Sequence, residues 1–203
     1  MKLTPERLDA LTELINIGVG QAAGTLSQML EFTIKLKVPL VKILSPQLLQ
    51  QELRGRLGQQ CLSSVKLEFS GSFSGNAQLV FPTESAATLV SLLTGEESET
   101  NDLDALRIGT LTEVGNIVIN GVMGSISNIL TQPINYNLPN YIEQDIEHLL
   151  LSSISEQNYK EVLLAQSQFD IEELEVKGDI ILFFNVGSLD SFLEAIDELC
   201  DRY

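Results

Sequence analysis

Along the first thirty residues the apolar positions fall on one stripe. At about 100° per residue, Leu8, Leu11, Ile15, Val19, Ala22, Leu26 and Met29 share a face. Thr4-Pro5-Glu6 precedes them as an N-cap, a proline at the first helical position and an acid in the first turn. A helix is predicted from residue 5 to about residue 30. The period then changes. Phe32 to Leu44 alternates, with Ile34, Leu36 and Val38 on one side, and reads as a strand. Pro39 interrupts it and marks an edge, a bulge or a strand end. Ser45-Pro46 starts a short helix to about Arg54, and 55–60 is a loop. Leu62–Phe73 and Asn76–Phe81 read as two strands joined at Ser74-Gly75. Pro82-Thr83-Glu84 opens a helix through Ala87, Leu89, Val90 and Leu93, stopped by Gly95. Residues 96–101 are a polar connector.

The second half repeats this order. A long helix covers about 102–130, with Ile108, Leu111, Ile119, Val122, Ile126 and Ile129 inward. An extended segment follows Pro133, then a short helix near 143–154. Strands near 159–169 and 174–186 come next, meeting around Asp170-Ile171-Glu172, and a helix runs from about 188 to 200. The expected fold is a two-layer α+β domain with pseudo-two-fold duplication. Its sheet is six-stranded and largely antiparallel, with the two long helices packed on it and the helices on one face. The chain reads as one domain, 1–203, made of two repeats of about 1–100 and 101–203.

The repeat is visible residue by residue. Aligning 13–39 with 113–139 without gaps gives eight identities in 27: Glu13, Asn16, Ile17, Gly24, Ser27, Leu30, Ile34 and Pro39. Composition alone gives roughly one or two. The most regular part is Asp9-x3-Glu13-x2-Asn16-x22-Pro39, echoed as Gly109-x3-Glu113-x2-Asn116-x22-Pro139. On the wheel, Asp9, Glu13 and Asn16 lie opposite the first core stripe. Gly109, Glu113, Asn116 and Asn120 lie about 120° from the second. Both Glu/Asn pairs therefore project away from the core.

Composition narrows the chemistry. The net charge is −16, which repels nucleic acid and anionic membrane surfaces but not a basic patch on a protein. No apolar run reaches the ~18 residues of a membrane span, and the N-terminus lacks a signal-peptide h-region. Cys61 and Cys200 have no metal-ligand spacing and suit a reducing compartment, so a cytoplasmic protein is expected. His148 is the only histidine and is expected on a polar surface, which leaves no duplicated His-based site.

A Glu and an Asn on a convex helix face form no deep pocket and hold no nucleophile. Any single Glu-x-x-Asn is nearly always an ordinary polar face. Two copies, each 23 residues before a proline, are harder to explain that way, because Asn inside a helix costs several tenths of a kcal/mol against Ala. Asn can orient a water by donating and accepting hydrogen bonds, and Glu can clamp a cation. The pair suits insertion into another protein's active site.

Carrying these motifs, the chain resembles the CheC-type family of chemotaxis phosphatases, which includes CheC, CheX and FliY. The family motif is an acid or Ser, three residues, Glu, two residues, Asn, 22 residues and Pro. Asp9, Glu13, Asn16 and Pro39 match all of it. Glu113, Asn116 and Pro139 match the second copy, with Gly109 departing. Length and duplication look most like CheC. The resemblance implies hydrolysis of the aspartyl phosphate of a CheY-like response regulator. Asn16 and Asn116 would position water, and Glu13 and Glu113 would pair with the regulator's Lys. Asp9, Gly109, Asn120, Pro39 and Pro139 would support the motif. No cofactor of its own is implied, and Mg2+ would sit in the receiver domain. The deamidase CheD is a further implied partner, on the face away from the two Glu/Asn helices. The alternative is a non-catalytic adaptor that binds the regulator or CheD. With the motif complete only at the first site, Asn16→Ala is expected to cost at least as much as Asn116→Ala.

Overall fold

The computed structural model describes residues 4–30, 33–57, 61–95, 102–148, 162–171 and 174–200. In order these form α1 (Pro5–Leu30), β1 (Ile34–Leu44), α2 (Pro46–Leu57), β2 (Leu62–Gly71), β3 (Gly75–Pro82), α3 (Thr83–Thr94), α4 (Asp102–Leu130), β4 (Ile134–Tyr136), β5 (Asn140–Gln144), β6 (Val162–Ile171), β7 (Leu174–Phe184) and α5 (Ser188–Cys200). The connector at 96–101 lies outside the described residues, as does most of the helix expected near 143–154. Its start is visible: Asp145 Oδ1 accepts from the His148 N–H at 2.8 Å, an N-cap bond. His148 is exposed, as its sequence setting predicts.

All described strands join one antiparallel sheet in the order β1-β6-β7-β3-β2-β4, with β5 also on β2. The edge strand of each half thus lies against the hairpin of the other. The register repeats as well. Leu44 pairs with Val162, and Gln144 with Leu62; Leu36 pairs with Phe169, and Tyr136 with Phe69. Each pair maps onto its mate by a shift of 100 (44 to 144, 62 to 162). Within the hairpins Leu62 faces Pro82 but Val162 faces Phe183, so one extra residue precedes β7 and the shift there becomes 101. At the sheet centre Leu79 pairs with Ile180, its own counterpart, which places the pseudo-dyad between them.

The sheet has seven strands where the sequence pattern suggested six, because the second edge strand is split. Asn137-Leu138-Pro139 separates β4 from β5, while β1 carries only a register shift between Lys37 and Leu40. Both breaks contain a motif proline, which has no N–H for the ladder. Pro39 and Pro139 therefore shape the two sheet edges.

Strand alternation sends Val65, Leu67, Ala77, Leu79, Ile180 and Leu182 into the main core with α1, α3, α4 and α5. It sends Leu62, Val80, Val162, Leu164, Ile181 and Phe183 to the other face, where Leu49 and Leu53 of α2 cover them. The expectation of helices on one face is corrected here. An antiparallel sheet that is apolar on both sides cannot leave one side in water, and α2 supplies that cover.

The two long helices pack directly on each other. A Cβ on Gly18 would lie 2.5 Å from Val122 Cα, and one on Gly121 would lie 3.0 Å from the Gly18 carbonyl oxygen. Only glycine permits this approach of backbones.

Candidate functional site

α1 begins as its sequence predicts. Thr4 Oγ1 accepts from the Arg7 N–H at 3.3 Å and Pro5 follows the cap. Leu11, Leu14, Ile15, Val19, Ala22 and Leu26 are buried, and on α4 so are Leu111, Val114, Val118, Ile119, Val122 and Ile126. Two residues assigned inward by periodicity turn outward instead: Met29 is 56 % exposed and Ile108 42 %. Met29 lies in the last turn of α1 and Ile108 in the second turn of α4.

The motif residues take opposite sides from the core. Asp9 and Glu13 on α1 are exposed, as are Gly109 and Glu113 on α4. Asn16, Asn116 and Asn120 are half-buried. They flank the crossing of α1 and α4: Asn16 is two residues before Gly18, and Asn120 is next to Gly121. Each carboxylate therefore reaches into solvent while its carboxamide sits lower, towards the seam between the helices. Pro39 and Pro139 are not on these helices but at the sheet edges. The constant spacing to proline has a geometric reason in the first copy. Ser27 Oγ accepts from the Ile34 N–H at 3.0 Å, tying the end of α1 to the start of β1. From Ser27 back to Asn16, and from Ile34 on to Pro39, the chain advances about 16 Å in each case. In the second copy Ser127 Oγ donates to the Gln132 carbonyl at 2.6 Å, so the repeated serine again fastens the helix end.

Among the repeated residues, Ser27 and Ser127, Ile34 and Ile134, and the two prolines thus have structural work. So do Thr12 and Thr112, whose hydroxyls are spent on the Leu8 and Ile108 carbonyls at 2.7 and 2.6 Å. The Glu/Asn pairs do not. No described residue forms a hydrogen bond or ion pair with the side chains of Glu13, Asn16 or Glu113. Asn116 Oδ1 accepts from Asn120 Nδ2 at 2.7 Å, which leaves its own amide hydrogens and one lone pair of Oδ1 free.

The surroundings of the two pairs differ. Near the first, Arg7 Nε donates to Asp197 Oδ1 at 2.6 Å, tying α1 to α5, and this hydrogen bond holds the Asp197 carboxyl below the usual carboxylate range. Near the second, the ends of α1 and α3 leave a groove of about 410 Å³ against α4. Its walls include Leu26, Met29, Leu93, Leu106 and Ile117, and Glu113 lies on its rim beside Gly109. Sequence reading missed this groove, having placed Met29 in the core stripe.

Comparison with known proteins finds similar sequences and similar folds. Residues 6–43 match the CheC-like family model, a segment that contains the first motif copy from Asp9 to Pro39. The putative CheY-P phosphatase CheC1 of Halobacterium salinarum is 20% identical over 191 residues, covering 94% of this chain and 96% of that protein. The CheY-P phosphatase CheC of Bacillus subtilis is 28% identical over 127 residues, 61% of this chain and 60% of that protein. In sequence the chain is similar to CheC-like proteins. Among solved structures, Thermotoga maritima FliY superposes with a TM-score of 0.79 at 24% identity, covering 98% of this chain and 100% of FliY. The Borrelia burgdorferi CheX-CheY-BeF3-Mg2+ complex gives a TM-score of 0.54 at 18% identity, over 86% of this chain and 99% of the matched chain. The FliM middle domain of H. pylori gives 0.63 at 14% identity, over 95% and 99%. At these identities the structural likeness establishes the fold of this chain.

Proposed function

We propose that this chain hydrolyses the aspartyl phosphate of a CheY-like response regulator. The observation that carries the reading is the contrast within the repeat. The serines, prolines and threonines conserved between the two copies hold the fold together, whereas both Glu/Asn pairs face outward on equivalent helices. Relatives named CheY-P phosphatase support the same activity.

Asn16 and Asn116 each bring a carboxamide that can accept from a water and hold it in line with a phosphorus atom on the partner. Glu13 and Glu113 bring an exposed carboxylate one turn away, placed to pair with the receiver's active-site Lys. The phosphoryl group and Mg2+ belong to the receiver, so this chain contributes position and charge. Both pairs sit on exposed helix faces, which fits a reaction completed by inserting side chains into another protein's cleft. The chain works in chemotaxis or a related two-component pathway.

Phosphate release from a phosphorylated receiver domain tests this. The Asn16→Ala, Asn116→Ala double variant is expected to fall to the receiver's own rate of hydrolysis. A double variant as fast as the parent would sink the mechanism. The second reading is an adaptor that binds the regulator, or CheD, without turnover. It is favoured by the likeness to FliM middle domains. Undiminished capture of the receiver by the double variant, together with a catalytically silent parent, selects it.

A further inference from the structure

The two halves superimpose in register, yet the surfaces beside their Glu/Asn pairs have opposite chemistry. Counting back from each Asn, the first copy carries exposed Glu13, Asp9 and Glu6. The second carries Glu113, Gly109 and Leu106, the last 37 % exposed. Two acids are thus exchanged for a glycine and a leucine. At that point the groove between α1, α3 and α4 opens. Its walls are apolar apart from Glu113 and two threonines, and the Thr94 hydroxyl is already bonded to the Val90 carbonyl at 2.9 Å. A side chain at position 109 would project into free space, since a Cβ there meets nothing within 4 Å. Gly109 therefore keeps the approach to the groove open, although helix propensity disfavours glycine there.

We infer that this groove takes an apolar side chain of the same phosphorylated receiver that presents its cation to Glu113, so that the second site is recognised by apolar insertion and the first by charge. This rests on the phosphatase reading for the identity of the partner. Three features select the occupant. The groove is continuous with Glu113, so whatever binds that carboxylate covers the groove. Among the described residues its lining offers almost no polar atom to a polar ligand, and Glu113 repels an anion. Apolar walls at the rim of a carboxylate fit a partner surface on which an aliphatic or aromatic side chain lies next to a cation. At the first site the acids Glu6 and Asp9 offer the same cation longer-range attraction, which salt screens.

Single-site proteins separate the two modes. In the Asn16→Ala background turnover comes from the second site, and in the Asn116→Ala background from the first. Gly109→Leu, which fills the mouth of the groove and favours the helix, is expected to raise KM for phosphorylated receiver about tenfold at the second site with kcat within about twofold. Thermal melting is expected to show that variant to be at least as stable as its parent. Raising salt from 50 to 300 mM is expected to raise KM more at the first site than at the second. A folded Gly109→Leu protein whose KM stays within twofold overturns the inference, as does equal salt dependence at both sites. If neither single-site protein turns over, the phosphatase reading fails and the groove is judged by binding alone. Calorimetry with receiver activated by Mg2+ and beryllofluoride then decides: tenfold weaker binding on Gly109→Leu sustains the groove, and unchanged binding rejects it.

Discussion

Asn120 Nδ2 donates to Asn116 Oδ1 across one turn of α4, at 2.7 Å. The first copy has glycine at the corresponding position, Gly20, so Asn16 lacks this support. The bond fixes the carboxamide plane of Asn116 before any partner arrives, and a preset plane lowers the ordering cost of holding a water. On the proposed phosphatase reading, Asn120 would act as a positioning residue. In the Asn16→Ala background, Asn120→Ala is expected to lower kcat about fivefold and leave KM nearly unchanged. A purely structural role would instead show as a lower melting temperature with normal turnover.

The same bond reverses the ranking that the motif alone suggests. Asp9 completes the first motif and Gly109 breaks the second, but on the proposed reading the acid would act at long range, while the Asn120 bond is made to the Asn116 carboxamide itself. Asn116→Ala is therefore predicted to cost more activity than Asn16→Ala, at saturating receiver. Equal losses, or a larger loss from Asn16→Ala, would remove Asn120 from the mechanism.

Gly115 and Val65 make a second asymmetric pair. A Cβ on Gly115 would lie 2.5 Å from Val65 Cβ. Their counterparts in the other half are Ile15 and Ala165, so the large and small partners have changed sides of the helix–sheet interface. Gly115→Ala is predicted to destabilise by about 1–3 kcal/mol through overpacking. Adding Val65→Ala should return most of that loss, because the space the methyl needs is what valine occupies. Denaturant unfolding of the two single variants and the double checks it; additive losses would show that the two positions are uncoupled.

Much of this was legible in the sequence, and the misses share a cause. Periodicity gave the long helices and the hairpins because burial follows a regular face there. It assigned Met29 and Ile108 inward because they continue the stripe, but a stripe says nothing about which of its positions the rest of the fold covers. It gave no sign that α2 crosses to the other face. Leu49 and Leu53 are equally apolar either way, and the choice is made by Leu62, Val80, Ile181 and Phe183 needing cover. The Glu/Asn pairs were legible through their spacing. The groove at Gly109 was not, since its walls come from α1, α3 and α4, which meet only in the fold.

Arg7 and Asp197 join the first and last helices. The hydrogen bond from Arg7 lowers the Asp197 pKa below its ordinary 3.8. A depressed carboxylate contributes stability that is present above its unfolded pKa and lost as pH falls through the folded one. Melting temperature should therefore drop in the parent as pH falls below the ordinary carboxylate value of 3.8, and Asp197→Asn should flatten that part of the profile. An unaltered acid limb in the variant would assign the sensitivity to other carboxyls.

Arg56 and Asp179 have the opposite sign. Asp179 sits on β7 with its side chain 3% exposed, and Arg56 from the last turn of α2 grips both carboxylate oxygens at 3.1 and 2.8 Å. Burial pushes the Asp179 carboxyl above its ordinary value, and Arg56 only partly offsets this. A raised pKa contributes stability that is full below the unfolded value of 3.8 and is lost as pH rises through the folded one. Removing the cation widens that window, because the lone buried carboxylate must then take up a proton. Arg56→Met is predicted to cost about 3 kcal/mol at pH 8 and clearly less at pH 5. The other half already has the neutral solution. Gln78, one hundred and one residues earlier, is buried and bonded to Asn76 at 3.0 Å. Combining Arg56→Met with Asp179→Asn should therefore recover most of the loss and remove its pH dependence. If the double variant is as unstable as Arg56→Met alone, the cost lies in the packing of the arginine stem beside Gln166 and Gly178 of β6 and β7 rather than in an uncompensated charge.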